Sequence, residues 1–286
     1  CVADLQSIGV DPFDSNGAYV FADPLSASFG GVAGGNRNLT EETADTTTYG
    51  LVYQPNFLEG LSFTIDYWEI EIEDAISSVS SQDIVDGCYK EASLNDAFCS
   101  LFTRNADSSS MQHGGFNFLR STDINFANLE TSGIDLAIGY DFTIGAHNFS
   151  ANVQGTKVNE IDFYTNPADL NEVNPELGEI LRPERAGNVY LSWNYGDFNV
   201  AFQSQYLDEM LLGTVEVETA DTLYGKKVYM DETWIHDISA SYTYSDEITV
   251  YGGIRNLNEK DPFMTENAFP ASPRGRMFFL GGTYRL

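Results

Sequence analysis

The sequence predicts an all-β fold, in which antiparallel strands form an up-and-down transmembrane β-barrel with long extracellular loops. Three observations support this prediction. Apolar and polar residues alternate with a period of two in one segment after another, and the connections between these segments alternate between short and long. Tyrosine and tryptophan also concentrate close to the short connections, as they do at the interfaces of membrane barrels.

The composition agrees with a β-fold and argues against some functions. The 286 residues include 16 Tyr, 19 Phe and 25 Gly, which is typical of strands joined by turns. The 43 acidic residues outnumber the 14 basic ones, so the formal net charge is −29. This excess of negative charge argues against binding of nucleic acid, whose phosphates require basic patches. No apolar run approaches the roughly 18 residues of a membrane helix.

The alternation recurs in nine segments of the chain. In the later segments, the face opposite the apolar one carries mainly amide and hydroxyl side chains, such as Asn194, Asn199, Gln203 and Ser239. A polar face of this kind suits a water-filled barrel interior, while the apolar face suits lipid. The segments are 46–54, 61–68, 133–142, 147–155, 188–195, 198–206, 235–244, 248–256 and 276–286.

The connections between the segments differ strongly in length. Short turns are predicted at Gly145–Ala146, Gly196–Asp197 and Ser245–Glu247, and a short connection at Asn56–Gly60. The long polar stretches lie at about 73–115, which includes a short helical pattern within 80–100, and at about 160–182, 209–231 and 257–275. Outer-membrane barrels have short periplasmic turns and long extracellular loops, so this pattern favours a barrel of that kind.

Aromatic residues near the short turns are candidates for a membrane girdle, because an amphipathic ring is stable at the level of the lipid headgroups. The candidates are Tyr53, Trp193, Tyr195, Tyr242, Tyr244 and Tyr284. The final segment alternates up to the last residue, and one of its faces carries Phe278, Leu280, Tyr284 and Leu286. We interpret it as a strand that crosses the bilayer and closes the barrel.

Four segments resemble the C-terminal part of the barrel of TonB-dependent outer-membrane receptors. GGNRNLTEETADTTTYGLVYQP (34–55) resembles an extracellular turn that leads into a descending strand, and INFANLETSGIDLAIGYDF (124–142) resembles a long descending strand. IRNLNEKDPF (254–263) resembles the penultimate strand and its loop, and RGRMFFLGGTYRL (274–286) resembles the terminal strand that the assembly machinery reads. The family usually ends on Phe or Trp, whereas this chain ends on Leu286.

The resemblance implies a barrel of roughly 22 strands, of which this chain supplies about nine. Because nine strands alone would leave two unpaired edges in lipid, we expect the chain to be a fragment, or one segment of a split or processed receptor. Residues 1–43 are then an extracellular loop and the end of a preceding strand. Residues 44–286 are the C-terminal barrel segment, without the plug domain and the first half of the barrel.

The resemblance also implies active uptake of a scarce nutrient across the bacterial outer membrane. The implied partners are outer-membrane lipid, the remaining barrel half and plug of the same receptor, a TonB-type energy-transducing protein, a small nutrient ligand and, as a further candidate, a surface lipoprotein. Ligands of the family include ferric siderophores, haem, cobalamin, oligosaccharides and peptides, and the sequence does not choose among these classes. Phe163 and Tyr164, in the predicted loop 160–182, are candidate ligand contacts, since their rings suit stacking on a sugar or siderophore ring.

Two other classes of protein remain as alternatives. A secreted, acidic β-sandwich binding module also has alternating strands, although its outward faces would be richer in Lys, Glu and Thr than those found here. A passive porin-like channel would share the barrel but would have no plug.

Cys88 and Cys99 are predicted to form a disulfide, because a loop closed over about eleven residues suits an oxidising cell surface. A metal site is disfavoured, since His113 is the nearby histidine and the spacing is wrong for zinc. Cys1 would then be the odd thiol, with a partner upstream of this chain.

No pattern in the sequence supports catalysis, a cofactor or a metal site. His113, His147 and His236 do not combine with a nucleophile in a recognisable order. The acidic runs at 69–74 and Asp208–Glu209 are interpreted as solvated faces, because no loop matches a calcium-binding pattern.

Overall fold

The computed structural model describes residues 1–24, 30–89, 96–166, 169, 171–211, 216–263 and 270–285. The helices are α1 (Val2–Ser7), α2 (Ser81–Tyr89), α3 (Asp96–Cys99) and α4 (Val217–Leu223), with a 3₁₀ helix at Gly225–Val228. The strands are β1 (Gly30–Ala33), β2 (Thr43–Tyr53), β3 (Leu61–Ser78), β4 (Phe102–Arg104), β5 (Phe116–Ser121), β6 (Asp123–Ile144), β7 (His147–Tyr164), β8 (Asn174–Pro175), β9 (Arg185–Tyr195), β10 (Phe198–Leu207), β11 (Met210–Leu211), β12 (Tyr229–Met230), β13 (Thr233–Ser245), β14 (Ile248–Arg255) and β15 (Met277–Tyr284).

Nine long strands form one sheet, in the order β15-β14-β13-β10-β9-β7-β6-β3-β2, and the short β8 pairs with β7. Long strands that follow one another in the chain are neighbours in the sheet, which is an up-and-down arrangement. The nine predicted strands are therefore confirmed, and so are the turns between them. At the turn between β6 and β7, Gly145 adopts a φ of 62°, a conformation that favours glycine.

Two strands continue into stretches that the sequence predicts to be loops. β3 continues to Ser78 and β7 to Tyr164, although polar stretches were predicted from about 73 and 160. The physical reason is that backbone pairing continues beyond the apolar stripe, where solvated side chains are stable on both faces of a strand. The start of β6 at Asp123 agrees with the long strand that the resemblance implies over 124–142. Among the residues that the structure describes, no helix is both long enough and apolar enough to span a bilayer.

The chain divides into two compact units. The loop unit comprises Cys1–Asp45, Glu71–Leu129 and Phe163–Asn174, and the sheet unit comprises Thr46–Ile70, Glu130–Asp162 and Pro175–Leu286. The predicted division at residue 43 stays a prediction.

The core of the loop unit is formed by the segment that follows β3. Ser80 caps α2, since its hydroxyl accepts the backbone N–H of Asp83 at 3.2 Å. The buried core residues are Val79, Ile84, Cys88, Phe98, Leu101, Phe102, Leu119 and Ile124. A short helix was predicted within 80–100, but the small sheet of order β1-β5-β4 was not, because each of its strands is too short to show periodicity.

Candidate functional site

The backbone register of the sheet unit joins the predicted apolar faces of six neighbouring strands. One row of cross-strand partners consists of Ala151, Leu191, Phe202, Ile238, Ile254 and Phe278, one from each of β7, β9, β10, β13, β14 and β15. The next row consists of Phe149, Trp193, Val200, Ala240, Gly252 and Leu280. Leu191, Ala240, Phe278 and Leu280 are exposed, the last at 83%, and the other eight residues are half-buried. The sheet therefore presents one continuous apolar face.

The opposite face of the same strands carries mainly polar or small residues, with Phe279 as an exception in β15. Between the two apolar rows lies a row of the opposite face, which consists of Ser150, Ser192, Ala201, Ser239, Gly253 and Phe279. Asn199 on this face donates to Asn194 at 2.7 Å, so neighbouring amides bond across the strands. Since a slip of one residue would exchange the faces, the register preserves the separation that the alternation predicts.

The predicted girdle residues lie at or near strand ends. Trp193 and Tyr195 come together around His147, whose ring centroid is 4.4 Å from that of Tyr195. Tyr242 packs against Phe198 with ring centroids 4.5 Å apart. The sequence analysis did not include His147 in this aromatic group. Its position directly after the predicted turn at Gly145–Ala146 was the feature that could have indicated it.

The remaining girdle candidates are separate from this cluster. Tyr244 lies at a register irregularity between β13 and β14, and Tyr284 lies opposite Ile248. Tyr53 ends β2 and is exposed. Contact of any of the six candidates with lipid headgroups stays a prediction.

The terminal strand pairs with β14 along its whole length. Phe278, Leu280 and Tyr284 share one face and are exposed, which leaves them accessible to an apolar environment. Leu286 lies outside the described residues. Recognition of this strand by an assembly machinery stays a prediction.

The two aromatic ligand candidates occupy the end of a strand. Phe163 and Tyr164 are the last two residues of β7, and both are half-buried. Whether they contact a ligand stays a prediction.

The predicted disulfide is present: Cys88 at the end of α2 bonds to Cys99 at the end of α3, with Cα atoms 4.9 Å apart. Cys1 is exposed and free. The disulfide links α2 to α3, the helix that carries the buried Phe98, so it restrains the core of the loop unit.

A buried arginine, which sequence reasoning missed, organises the loop unit. The side chain of Arg104 is 5% exposed, and its Nη1 donates to the carbonyl of Gly114 at 2.8 Å. Its Nε lies 3.1 Å from Oδ2 of Asp4, and its guanidinium lies 4.0 Å from the ring centroid of Phe116. Burial and a hydrogen bond to Asp4 raise the pKa of Tyr89 to about 12. An arginine two residues after the apolar pair Leu101 and Phe102 was the signal available in the sequence.

A cavity of about 630 Å³ opens in the loop unit. Much of its polar lining already serves the fold. The Oδ1 of Asn125 accepts the backbone N–H of Thr40 at 2.9 Å, and its Nδ2 donates to the carbonyls of Asp74 at 2.7 Å and Thr40 at 3.1 Å. Arg120 and the exposed Phe118 also line this cavity, so charged and aromatic groups remain accessible to a ligand.

Two loop segments of the sheet unit meet near a buried carboxylate. The backbone N–H of Leu211 donates to the carbonyl of Gly178 at 2.8 Å. Next to this bond, Oε1 of Glu179 is buried and has no hydrogen-bond partner among the described residues. Burial, followed by the charge of Glu216, raises the pKa of Glu179.

The described residues contain neither a cluster suited to a metal ion nor a catalytic arrangement of the three histidines. No group of three His, Cys, Asp or Glu side chains comes together in them. The Nε2 of His113 forms a hydrogen bond with the carbonyl of Ile8 at 2.8 Å. The three histidines lie in different parts of the chain, with His113 in a turn, His147 in β7 and His236 in β13. His147 accepts from Trp193, and His236 bonds to Ser204, so each histidine has a structural partner.

The up-and-down sheet with one apolar and one amide-rich face defines the class of transmembrane β-barrels. The chain belongs to the family of TonB dependent receptor-like β-barrels, whose sequence profile matches residues 9–257. Proteins of this family are transport receptors of the bacterial outer membrane. A search of curated proteins gives no significant match.

Several solved structures share the fold at low sequence identity. The siderophore receptor PirA from Acinetobacter baumannii is 15% identical with a TM-score of 0.56, over 88% of this chain and 33% of that chain. A variant of the ferric enterobactin receptor PfeA from Pseudomonas aeruginosa is 14% identical with a TM-score of 0.55, over 87% and 32%. The iron transporter FrpB from Neisseria meningitidis is 17% identical with a TM-score of 0.54, over 89% and 32%. The chain spans about a third of each of these structures.

Proposed function

We propose that this chain forms part of the wall of an outer-membrane receptor that captures a scarce nutrient and imports it with energy from the inner membrane. The observation that carries the proposal is the register that joins the apolar faces of β7, β9, β10, β13, β14 and β15. An exposed apolar face of that width is stable against lipid, while the amide-rich face is stable against a wet interior.

The proposed receptor also needs partners that complete it. The strands at the ends of the sheet order, β2 and β15, would pair with the remaining strands of the barrel, because an unpaired edge is unstable in hydrocarbon. A plug of the same receptor would occupy the interior, and a TonB-type protein would act on that plug. The long loops would face outward, where a surface lipoprotein is a further candidate partner.

The nutrient is proposed to be a small ligand held by the loops. The three similar structures are named for iron or siderophore transport. Ferric siderophores are therefore the first ligands to test, followed by oligosaccharides and peptides.

Uptake by living cells tests this function. A strain that lacks the gene for this chain should lose saturable uptake of one labelled ligand from a panel of ferric siderophores, oligosaccharides and peptides. Uptake in the parent strain should stop when a protonophore or deletion of the energy-transducing protein removes the energy supply. Uptake that persists without energy and does not saturate would indicate a passive channel and would overturn the proposal.

A further inference from the structure

A second cavity in the loop unit has an unusual charge for this chain. It has a volume of about 450 Å³ and is lined by Gly34, Gly35, Asn36, Arg37, Asn38 and Arg120, together with two apolar residues. Both arginines are exposed, and no carboxylate is among these described lining residues. Acidic residues outnumber basic ones by 43 to 14 in the whole chain. A cavity that is lined by two cations and no carboxylate is therefore unusual for this protein.

The two guanidinium groups are also available to a ligand. Within the described part of the chain, neither Arg37 nor Arg120 makes an ion pair. Other arginines of the chain do pair with carboxylates, namely Arg104, Arg182, Arg185 and Arg276. Asp74 lines the adjoining cavity of about 630 Å³, and the carboxylate of Asp123 accepts from Ser78 at 2.9 Å. Of the two glutamates that follow Arg37 in the chain, Glu41 and Glu42, neither lines the cavity, and Glu42 accepts the backbone N–H of Ile76. The unpaired charge of the cavity is therefore positive.

The backbone around both arginines is held in place. Arg120 lies in β5 opposite Val32 of β1, and its backbone N–H donates to the carbonyl of Leu101 at 2.7 Å. Beside Arg37, the Oδ1 of Asn36 accepts the N–H of Asn38 at 2.9 Å, and its Nδ2 donates to the carbonyl of Asp123 at 3.1 Å. A site on restrained backbone loses less conformational entropy when it binds a ligand.

The surroundings also suit an oxyanion attached to a larger solute. Space is open beside Gly34 and Gly35, where nothing lies within 4 Å of an ideal Cβ position, so a ligand can approach the main chain. Phe118 lies two residues before Arg120 on the same face of β5 and is 36% exposed. Guanidinium groups bind carboxylates through paired hydrogen bonds, and an aromatic ring adds apolar contact.

We propose that Arg37 and Arg120 form an anion-recognition site, and that the solute taken up by the receptor carries a carboxylate or sulfate group held there. This inference rests on the proposed uptake function, whose ligand it restricts to anions. It also assigns Phe118 to contact with the part of the solute next to the oxyanion.

Calorimetry on the detergent-purified receptor that contains this chain tests the site. The probes are phthalate, its neutral diamide, and inorganic sulfate. Phthalate should bind, and the double variant Arg37→Gln/Arg120→Gln should weaken its binding roughly tenfold or more through loss of two charge-assisted contacts. Arg185→Gln, at an exposed arginine elsewhere in the chain, should leave binding unchanged. Sulfate binding would indicate that any oxyanion suffices, and its absence that the carboxylate itself is recognised.

Chemical modification gives a second readout. Phthalate should protect Arg37 and Arg120, but not Arg185, from phenylglyoxal, as measured by mass spectrometry. Equal binding of phthalate to the double variant, or equal binding of the neutral diamide, would overturn the proposal.

Measurements of energised import distinguish failure of the anion site from failure of the proposed uptake function. Energised import that is unimpaired in the double variant would overturn the anion site and leave the uptake function. Phthalate binding that requires both arginines, in a receptor that supports no energised import, would overturn the uptake function and leave the site.

Discussion

Arg104 and Asp4 form an ion pair of 3.1 Å between segments that are 100 residues apart in the chain. The same guanidinium lies 3.6 Å from the carboxylate of Asp23 and against the ring of Phe116. One cation thus holds the helix α1 and the segment after it against β5. The loop unit is therefore organised by a polar centre as well as by its apolar core.

Replacement of this cation should loosen the N-terminal segment. We expect Arg104→Met to destabilise the loop unit by about 3 kcal/mol, because loss of the buried guanidinium leaves the largely buried carboxylate of Asp23 and the carbonyl of Gly114 without this partner and breaks the ion pair with Asp4. Hydrogen exchange of the backbone amides of residues 1–24 measures the loss. The control Arg185→Met, at an exposed arginine, should cost no more than about 0.5 kcal/mol. Equal protection of 1–24 in the two variants would contradict the prediction.

Loss of the disulfide should destabilise the same unit by a different mechanism. Replacing Cys88 and Cys99 by Ala should cost about 3 kcal/mol, because the unfolded loop is no longer restrained. Limited proteolysis between α2 and β4 should become faster, and a reductant should have the same effect on the unsubstituted chain. Cys1→Ser should leave the rate unchanged, since that thiol is free and exposed. A reductant effect that persists in the double variant would argue against this mechanism.

Two glycines with positive φ should respond differently to substitution. At Gly145 (φ 62°), nothing lies within 4 Å of an added Cβ, so Gly145→Ala should cost about 1–2 kcal/mol from backbone strain alone. At Gly60 (φ 86°), an added Cβ would lie 2.0 Å from the backbone oxygen of Asp141. Gly60→Ala should therefore cost about 1–3 kcal/mol more than Gly145→Ala, as measured by thermal unfolding in detergent. An equal loss of stability in the two variants would show that the backbone near Gly60 shifts to accommodate the added Cβ.

The buried Glu179 should make its loop sensitive to pH. Because the pKa of Glu179 is raised in the folded state, its protonated form fits the site, and stability is lost as the pH rises through that raised pKa. Thermal unfolding should show a more stable loop at a pH of about 5 than at about 7.

Glu179→Gln removes the buried charge and should abolish most of this difference. The variant should also be more stable than the parent at neutral pH, because it removes a buried charge and its repulsion with Glu216. Asp246→Asn, at an exposed turn, is the matched control and should retain the pH dependence. If Glu179→Gln keeps the full pH dependence of stability, that dependence arises from another titratable group.

Adjacent residues of β13 test the assignment of the two faces. Ala240 belongs to the apolar face and Ser239 to the polar one, and both lie near the middle of the strand. Ala240→Arg should cost about 2–4 kcal/mol in lipid, since a charge at the bilayer midplane is unfavourable, whereas Ser239→Arg should be tolerated. The measurement is the yield of folded, heat-modifiable protein in outer membranes. A lower yield for Ser239→Arg than for Ala240→Arg would show that the lipid-facing and interior faces are assigned the wrong way round.

The strands and their two faces could be predicted from the sequence, because a period of two is a local property of the chain. The alternation in 235–244, 248–256 and 276–286 identified the residues that share one face of β13, β14 and β15 in the structure. The turn at Gly145–Ala146 and the pairing of Cys88 with Cys99 were predicted on equally local grounds.

Only the tertiary structure decided which distant residues meet. The pairing of Arg104 with Asp4, the shared cavity of Arg37 and Arg120, and the isolation of Glu179 Oε1 each involve segments far apart in the chain. No local pattern contains such contacts, because they depend on how irregular loops pack around short strands and helices. The sequence by itself determined the sheet and its faces, since alternation follows from backbone geometry. Folding determined the charge and access of the loop cavities, since these depend on which side chains find partners.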